Sequence, residues 1–254
     1  MQKRDSKTRF ADRVDAYVKA RPRYPQRVIE LLQERLDLSA RTSVADVGSG
    51  TGISAELFLS AGCTVFAVEP NAAMRTAAEK LLGGISRFHS VDGNAEATTL
   101  PDHSVDLVVA AQAFHWFDAT KFRAESLRIL HPLSNALLMW NDRLTDCDAF
   151  AVDYEQMLLD HGTDYKSVNH RNITEARIAE FFRGPFEQIR LPNGQKLDWE
   201  GLKSRLMSSS YVPAEGDPGQ QPMLEALRRI FDLHQSNGEV EMKYETQLFL
   251  GPLR

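Results

Sequence analysis

The 254-residue chain predicts an α/β fold: a doubly wound, mostly parallel sheet of seven strands with an added helical cap. Three observations carry that expectation. From Thr42 onward, short apolar runs rich in β-branched residues alternate with helical stretches, the rhythm of successive βαβ units. The first run passes directly into "GSGTG", a glycine turn of the kind that leads a strand into a helix over a ligand. After Asn141 the alternation stops and amphipathic helices follow, which suits segments laid over the strand ends.

The elements follow in order. Residues 8 to 19 read as a helix with Phe10, Val14, Tyr17 and Val18 on one face, broken by Pro22 and Pro25 before a second helix over about 26–37. Strands are expected at 43–47, 64–68, 87–91, 105–111 and 136–140. Helices near 53–61, 71–82 and 119–130 separate them. Beyond Asn141, helices are expected near 146–161, with Phe150, Tyr154, Met157 and Leu158 on one face, and near 174–182. The stretch "FEQIRLPNGQKL" reads as a strand interrupted by a turn at Asn193-Gly194. A helix over 198–208, a loop over 208–222, a helix over 222–236 and an alternating last strand over 240–250 complete the chain.

A formal net charge of −5 gives no global attraction to nucleic acid or to an anionic membrane. Its distribution is uneven, since residues 1 to 27 carry nine Lys or Arg against three Asp. That segment is a solvated helix face or a lid in which Tyr17, Arg21 and Tyr24 close over a cleft, with Arg21 available to a carboxylate. A nucleic-acid role lacks any recognisable binding module. Cys63 and Cys147 have no partners at metal-ligand spacing, so no metal site is expected and a reducing cytoplasm is the default. No run approaches the roughly 18 apolar residues of a membrane span.

The glycine turn indicates a ligand class. Gly48, Gly50 and Gly52 follow a G-x-G-x-G pattern, whereas the third glycine of a dinucleotide fingerprint would fall on Ile53. Glu69 ends the next strand, 21 residues after Gly48, where a carboxylate can take both hydroxyls of a ribose. An adenosine-type ligand fits both features.

Four stretches then occur in order: "VADVGSGTG", "VFAVEPNAAM", "GNAEATTLPDHSVDLVVAAQAFHWFD" and "LRILHPLSNALLMWN". Together they resemble the successive motifs of class I S-adenosylmethionine-dependent methyltransferases, a Rossmann-like family, in the type 11 branch that includes small-molecule enzymes resembling trans-aconitate methyltransferase. The resemblance runs from about residue 40 to 143. It implies S-adenosylmethionine as cofactor and a last strand inserted antiparallel, and it places Asp46, Gly48, Gly50 and Gly52 around the methionine portion. It also implies Glu69 at the ribose, with Pro70, Met74 and the Asn94-Ala95-Glu96 turn near the adenine. Asn94 stands where the family often has Asp. Gln112, His115 and Trp116 border the transferable methyl group, and Tyr17 and Arg21 belong to the segment folding over the cofactor. "LHPLSN" departs from the family's usual Pro-Gly-Gly turn, which implies a local change in that loop.

The chain then divides into a lid segment (1–38), a cofactor-binding core (39–143) and a helical substrate cap with the last two strands (144–254). The expected acceptor is a small molecule, with a carboxylate among the classes implied. His115 is the candidate base if the acceptor must lose a proton, and Tyr211 is a candidate substrate contact in the cap. The alternatives are a cofactor-binding protein without catalysis and a nicotinamide-dependent oxidoreductase. Methyl turnover separates the first, and the glycine spacing disfavours the second.

Overall fold

The computed structural model describes residues 21–163, 165, 175–209, 211–213 and 216–254. The helix expected over 8–19, with Tyr17, lies outside them. The elements in chain order are α1 (Arg27–Leu36), β1 (Ser43–Val47), α2 (Ile53–Ser60), β2 (Thr64–Val68), α3 (Ala72–Leu82), β3 (Phe88–Val91), β4 (Val105–Ala111), α4 (Ala119–Ile129) and β5 (Leu130–Arg143). They continue with α5 (Ala149–His161), α6 (Glu175–Phe182), β6 (Glu187–Leu197), α7 (Trp199–Met207), α8 (Gln220–His234) and β7 (Val240–Pro252). Among the described residues no helix is long and apolar enough to cross a membrane.

One seven-stranded sheet runs β3-β2-β1-β4-β5-β7-β6. Strands β1 to β5 pair in parallel, and β7 runs antiparallel between β5 and β6. The chain moves outward from β1 through β2 to β3, then returns to the other side of β1 at β4. This reversal opens a crevice beyond the carboxyl ends of β1 and β4, where such sheets hold ligands.

The central strands are apolar throughout because both of their faces are covered. Val44, Val65, Leu107 and Val109 pack with Val28 and Leu32 of α1, Phe58 of α2 and Leu82 of α3. Ala45, Val47, Val108 and Ala110 point the other way and pack with Phe122 of α4 and Phe181 of α6. A third core joins Tyr154 and Leu158 of α5, Leu202 and Leu206 of α7, and Leu227 and Phe231 of α8 to Val240, Met242 and Tyr244 at the start of β7. Asn71, Asp118, Asp148 and Asp198 cap α3, α4, α5 and α7 by accepting backbone N–H bonds, which is why these helices begin where they do.

Two expectations need correction. The strand expected over 136–140 extends over Leu130–Arg143, with an excursion between the paired residues Leu130 and Asn135 where Leu133 takes φ 66°. The turn expected at Asn193-Gly194 is absent: β6 runs through it, with Asn193 opposite Tyr244 and Gly194 opposite Lys243. A long partner strand outweighs the local turn preference. β6 is also an edge strand, where Pro192 can be accommodated despite its missing N–H donor.

The turn after β1 needs glycine for two reasons. Gly48 has φ +71°, and a Cβ there would stand 2.7 Å from the Ala113 Cβ and 3.0 Å from the Phe117 ring. Gly50 has φ +57°, but its Cβ would meet nothing within 4 Å. Gly50→Ala should therefore lose only the strain of the left-handed backbone, about 1–2 kcal/mol. Gly48→Ala should add overpacking, for a total of about 2–5 kcal/mol. Urea unfolding of the two variants checks this order, and equal losses would refute it.

Candidate active site

A cavity of about 260 Å³ opens over the crevice. The sheet side contributes the turn after β1, the residues after β2 and the segment after β4. The other side is formed by Arg143 and Asp142 of β5, Tyr165, Arg205 of α7, Tyr211 and Tyr244 of β7, and residues 21 to 24 add Arg21, Pro22 and Tyr24.

The sheet side is held together before any ligand enters. Gly48 N and Ser49 N donate to Val68 O at 2.8 and 3.2 Å, which fastens the turn to the end of β2. Glu69 strengthens the joint: its Oε2 accepts from Gly50 N (3.1 Å) and its Oε1 from Asn71 N (2.8 Å). Each oxygen thus accepts one protein N–H bond and keeps lone-pair capacity for a ligand. Burial raises the Glu69 pKa above the usual carboxylate range, against the lowering effect of those two bonds and of Arg75.

Asp46 lies beneath the turn with no exposed surface. Its Oδ2 accepts from Ser54 Oγ at 2.7 Å, while its Oδ1 has no partner. Burial is the main cause that pushes its pKa up to about 7, and the Glu69 charge adds to it. An unsatisfied buried acceptor beside a cavity is a costly feature with no evident packing benefit.

Gln112, at φ 57°, follows β4 and anchors the opposite lip. Its Oε1 accepts from Asn141 N (2.9 Å). The Asn141 Nδ2 donates to Pro22 O (3.4 Å) and Arg23 O (3.3 Å), and its Oδ1 accepts from Thr246 Oγ1 (2.6 Å) and Asn193 Nδ2 (3.0 Å). Asn193 also donates to Arg23 O at 2.8 Å. Residues 22 and 23 are therefore tied to two strands, β5 through Asn141 and β6 through Asn193.

Of the residues singled out in the sequence, Arg21, Gly48, Gly50, Glu69, Pro70, Met74, Gln112 and Trp116 line the cavity together, as does Tyr211. Asp46, Gly52, Asn94, Ala95, Glu96 and His115 do not line it. Gly52 is the N-cap of α2, at φ +89°. The Asn94 Oδ1 accepts from the backbone N–H groups of Glu96 (3.0 Å) and Ala97 (2.9 Å), Ala95 is buried in the second-face core, and Glu96 accepts from Asp118 N. His115 sits in a 3-10 turn, Phe114–Trp116, with its ring centroid 4.8 Å from that of Trp116. Tyr17 lies outside the described residues.

Sequence reasoning missed the polar groups of the far wall. Arg143 Nη2 donates to Glu155 and to the Tyr165 hydroxyl (3.0 Å), which itself donates to Glu155 Oε2 at 2.6 Å. Arg205 Nε donates to the Tyr244 hydroxyl and its Nη1 to Ser209 Oγ, both at 3.1 Å. No motif announces these residues, because they come from elements far apart in the chain.

Comparison with known proteins finds similarity on the sheet side of this cavity. Residues 45–138 match the family model described as a methyltransferase domain. An uncharacterized methyltransferase of Mycobacterium tuberculosis is 36% identical over 141 residues, 56% of this chain and 55% of that protein. This chain therefore spans about half the length of the mycobacterial relatives it matches. An uncharacterized methyltransferase-like protein of Schizosaccharomyces pombe is 27% identical over 256 residues, covering 96% of this chain and 95% of that one. Among solved structures, a candidate type II methyltransferase from Anaeromyxobacter dehalogenans superposes with TM-score 0.63 at 22% identity, covering 91% of this chain and 97% of that one. The YcgJ protein of Bacillus subtilis gives 0.57 at 18%, covering 91% and 99%. At these identities the likeness is one of fold. The matched residues include β1 from Ala45, the glycine turn, Glu69 and Gln112.

The desolvated Asp46 gives stability a pH dependence. An unfolded aspartate ionises near pH 4, whereas folded Asp46 keeps its proton to about 7. Between those values the unfolded state releases a proton that the folded state retains, so stability falls as pH rises and stays lowered above 7. Asp46→Asn removes that dependence. The variant's Tm minus that of the native protein should be more positive at pH 8 than at pH 5 in ligand-free thermal melts, and a constant difference would show a normally solvated carboxylate.

Proposed function

We propose that the chain transfers a methyl group from S-adenosylmethionine to a small-molecule acceptor. The observation that carries this reading is Glu69, which faces the cavity beside the glycine turn with both oxygens able to accept further hydrogen bonds. A ribose diol offers two such donors. Gly50 brings bare backbone to the same wall, suited to the methionine portion, and the unpartnered Asp46 Oδ1 beneath the turn fits a cationic amino group nearby. Pro70 and Met74 supply apolar surface for the adenine. Asn94 is left out of this assignment, because two backbone donors already engage its Oδ1. Cys63 and Cys147 are both free, which accords with a cytoplasmic setting.

S-adenosylmethionine supplies an electrophilic methyl group on a sulfonium. The work left to the protein is alignment, and effective molarity can account for roughly 7–11 kcal/mol of barrier lowering. Trp116, 43% exposed and lining the cavity, offers an aromatic face to a cation. His115 does not line the cavity. That position favours an acceptor already anionic at neutral pH, such as a carboxylate, which needs no base.

Two experiments test the reading. Calorimetry should show S-adenosylhomocysteine binding and no comparable binding of NAD. Glu69→Ala should weaken S-adenosylhomocysteine by about 10- to 150-fold, the equivalent of hydrogen bonds to a charged group, and unchanged affinity in a folded variant would place the ribose elsewhere. In a turnover screen of small acids, phenols and amines, His115→Gln should lower the rate by less than about 100-fold, below the upper range of general-base catalysis. A loss above about 1000-fold with cofactor binding intact would instead make His115 the base.

A further inference from the structure

Arg205 is a buried cation without an anionic partner among the described residues. Its side chain projects from α7 to the cavity wall at 6% exposure. The Nε and Nη1 groups are spent on the neutral oxygens of Tyr244 and Ser209, each at 3.1 Å. Among the described residues no carboxylate pairs with it, and its Nη2 makes no hydrogen bond. Several other arginines have acidic partners: Arg143, on the same cavity, pairs with Glu155, Arg128 with Glu125 and Asp102, and Arg75 with Asp92. A guanidinium removed from water without a counter-ion is strongly disfavoured, so a buried one is expected to have a charged partner. Here the side left open is the side on the cavity.

Tyr211 adds a second donor. It lines the same cavity, its ring packs edge-on against Tyr165 at 4.9 Å, and its hydroxyl has no hydrogen-bond partner among the described residues. One guanidinium N–H and one phenol O–H match the two oxygens of a carboxylate. Glu69 and Asp142 also line the cavity, and their acidity opposes a group of higher negative charge such as a phosphate dianion.

We propose that Arg205 and Tyr211 hold a carboxylate of the methyl acceptor, an assignment that rests on the methyl-transfer reading above. Both residues belong to the wall facing the glycine turn, so the anchored acceptor lies between that wall and the sheet. The pair also sets specificity. A neutral amide or ester leaves the guanidinium buried and unpaired, and a site built for a charged partner rejects such analogues strongly.

The test uses the full chain saturated with S-adenosylhomocysteine. Three- to eight-carbon aliphatic and aromatic carboxylic acids are titrated against it, each beside its primary amide. At least one acid should raise the Tm while its amide does not. Arg205→Gln should weaken that acid by about 10- to 150-fold, and Tyr211→Phe by about 2- to 13-fold. Both variants should bind S-adenosylhomocysteine within about threefold of the native protein, which separates a lost anchor from a lost fold. Arg205→Lys, which retains the charge, should recover part of the loss. If Arg205→Gln does not fold, Tyr211→Phe decides. The proposal is overturned if no acid binds, if an amide binds as well as its acid, or if the variants that fold leave acid affinity unchanged. Failure of the native protein to bind S-adenosylhomocysteine defeats the methyl-transfer reading instead, and this proposal with it.

Discussion

Strand β7 is the constraint on which the rest of the site depends. Its 13 residues run antiparallel between β5 and β6, so one strand belongs to the sheet at its carboxyl end and to the third core at its start. The pairing sets Thr246 opposite Asn141 and Tyr244 opposite both Arg143 and Asn193. From that register follow the Thr246 bond that orients Asn141 and the Tyr244 hydroxyl that receives Arg205. A shift of one residue would turn these side chains to the opposite face and dismantle both contacts. The far wall is thus fixed by the β7 ladder, while the sheet side is held by its own bonds to the end of β2.

Within those walls the chain maintains polar groups that its folding alone does not favour. Asp46 has an unpaired buried oxygen, and Arg205 has no acidic partner among the described residues. Each lowers the stability of the empty protein and becomes favourable only when a complementary group arrives. Binding to the folded state alone then raises stability by mass action. Arg143, also on the cavity, differs in having a carboxylate partner, Glu155, and a bond to the Tyr165 hydroxyl. The contrast between these two arginines is thus one of charge pairing.

Much of this was legible in the sequence, and the limits are physical. β1, β2 and β4 occupy the residues marked by their apolar runs, because strands covered on both faces leave no room for polar interruption. The glycine turn and Glu69 were legible because backbone approach and a carboxylate at a strand end are local features. Asn193 was misread because its preference for turns is also local, whereas its pairing with Tyr244 depends on a strand some fifty residues later. Arg143, Tyr165, Arg205 and Tyr244 carry no local mark. An arginine on an amphipathic helix reads as solvated surface until tertiary packing closes over it.

Residues 21 to 24 show how the two halves of the cavity communicate. Asn141 grips the backbone at Pro22 and Arg23 while its own N–H is held by Gln112, which sits on the sheet side of the cavity. On the other side, Arg21 Nη2 donates to Ser208 O at the end of α7, three residues from Arg205. A short segment is thereby bonded both to the lip of the glycine-turn wall and to the helix that carries the unmatched guanidinium. Its bonds to Asn141 and to Ser208 come from neighbouring residues, 21 to 23. One short segment thus joins β5 to the end of α7 through hydrogen bonds already present.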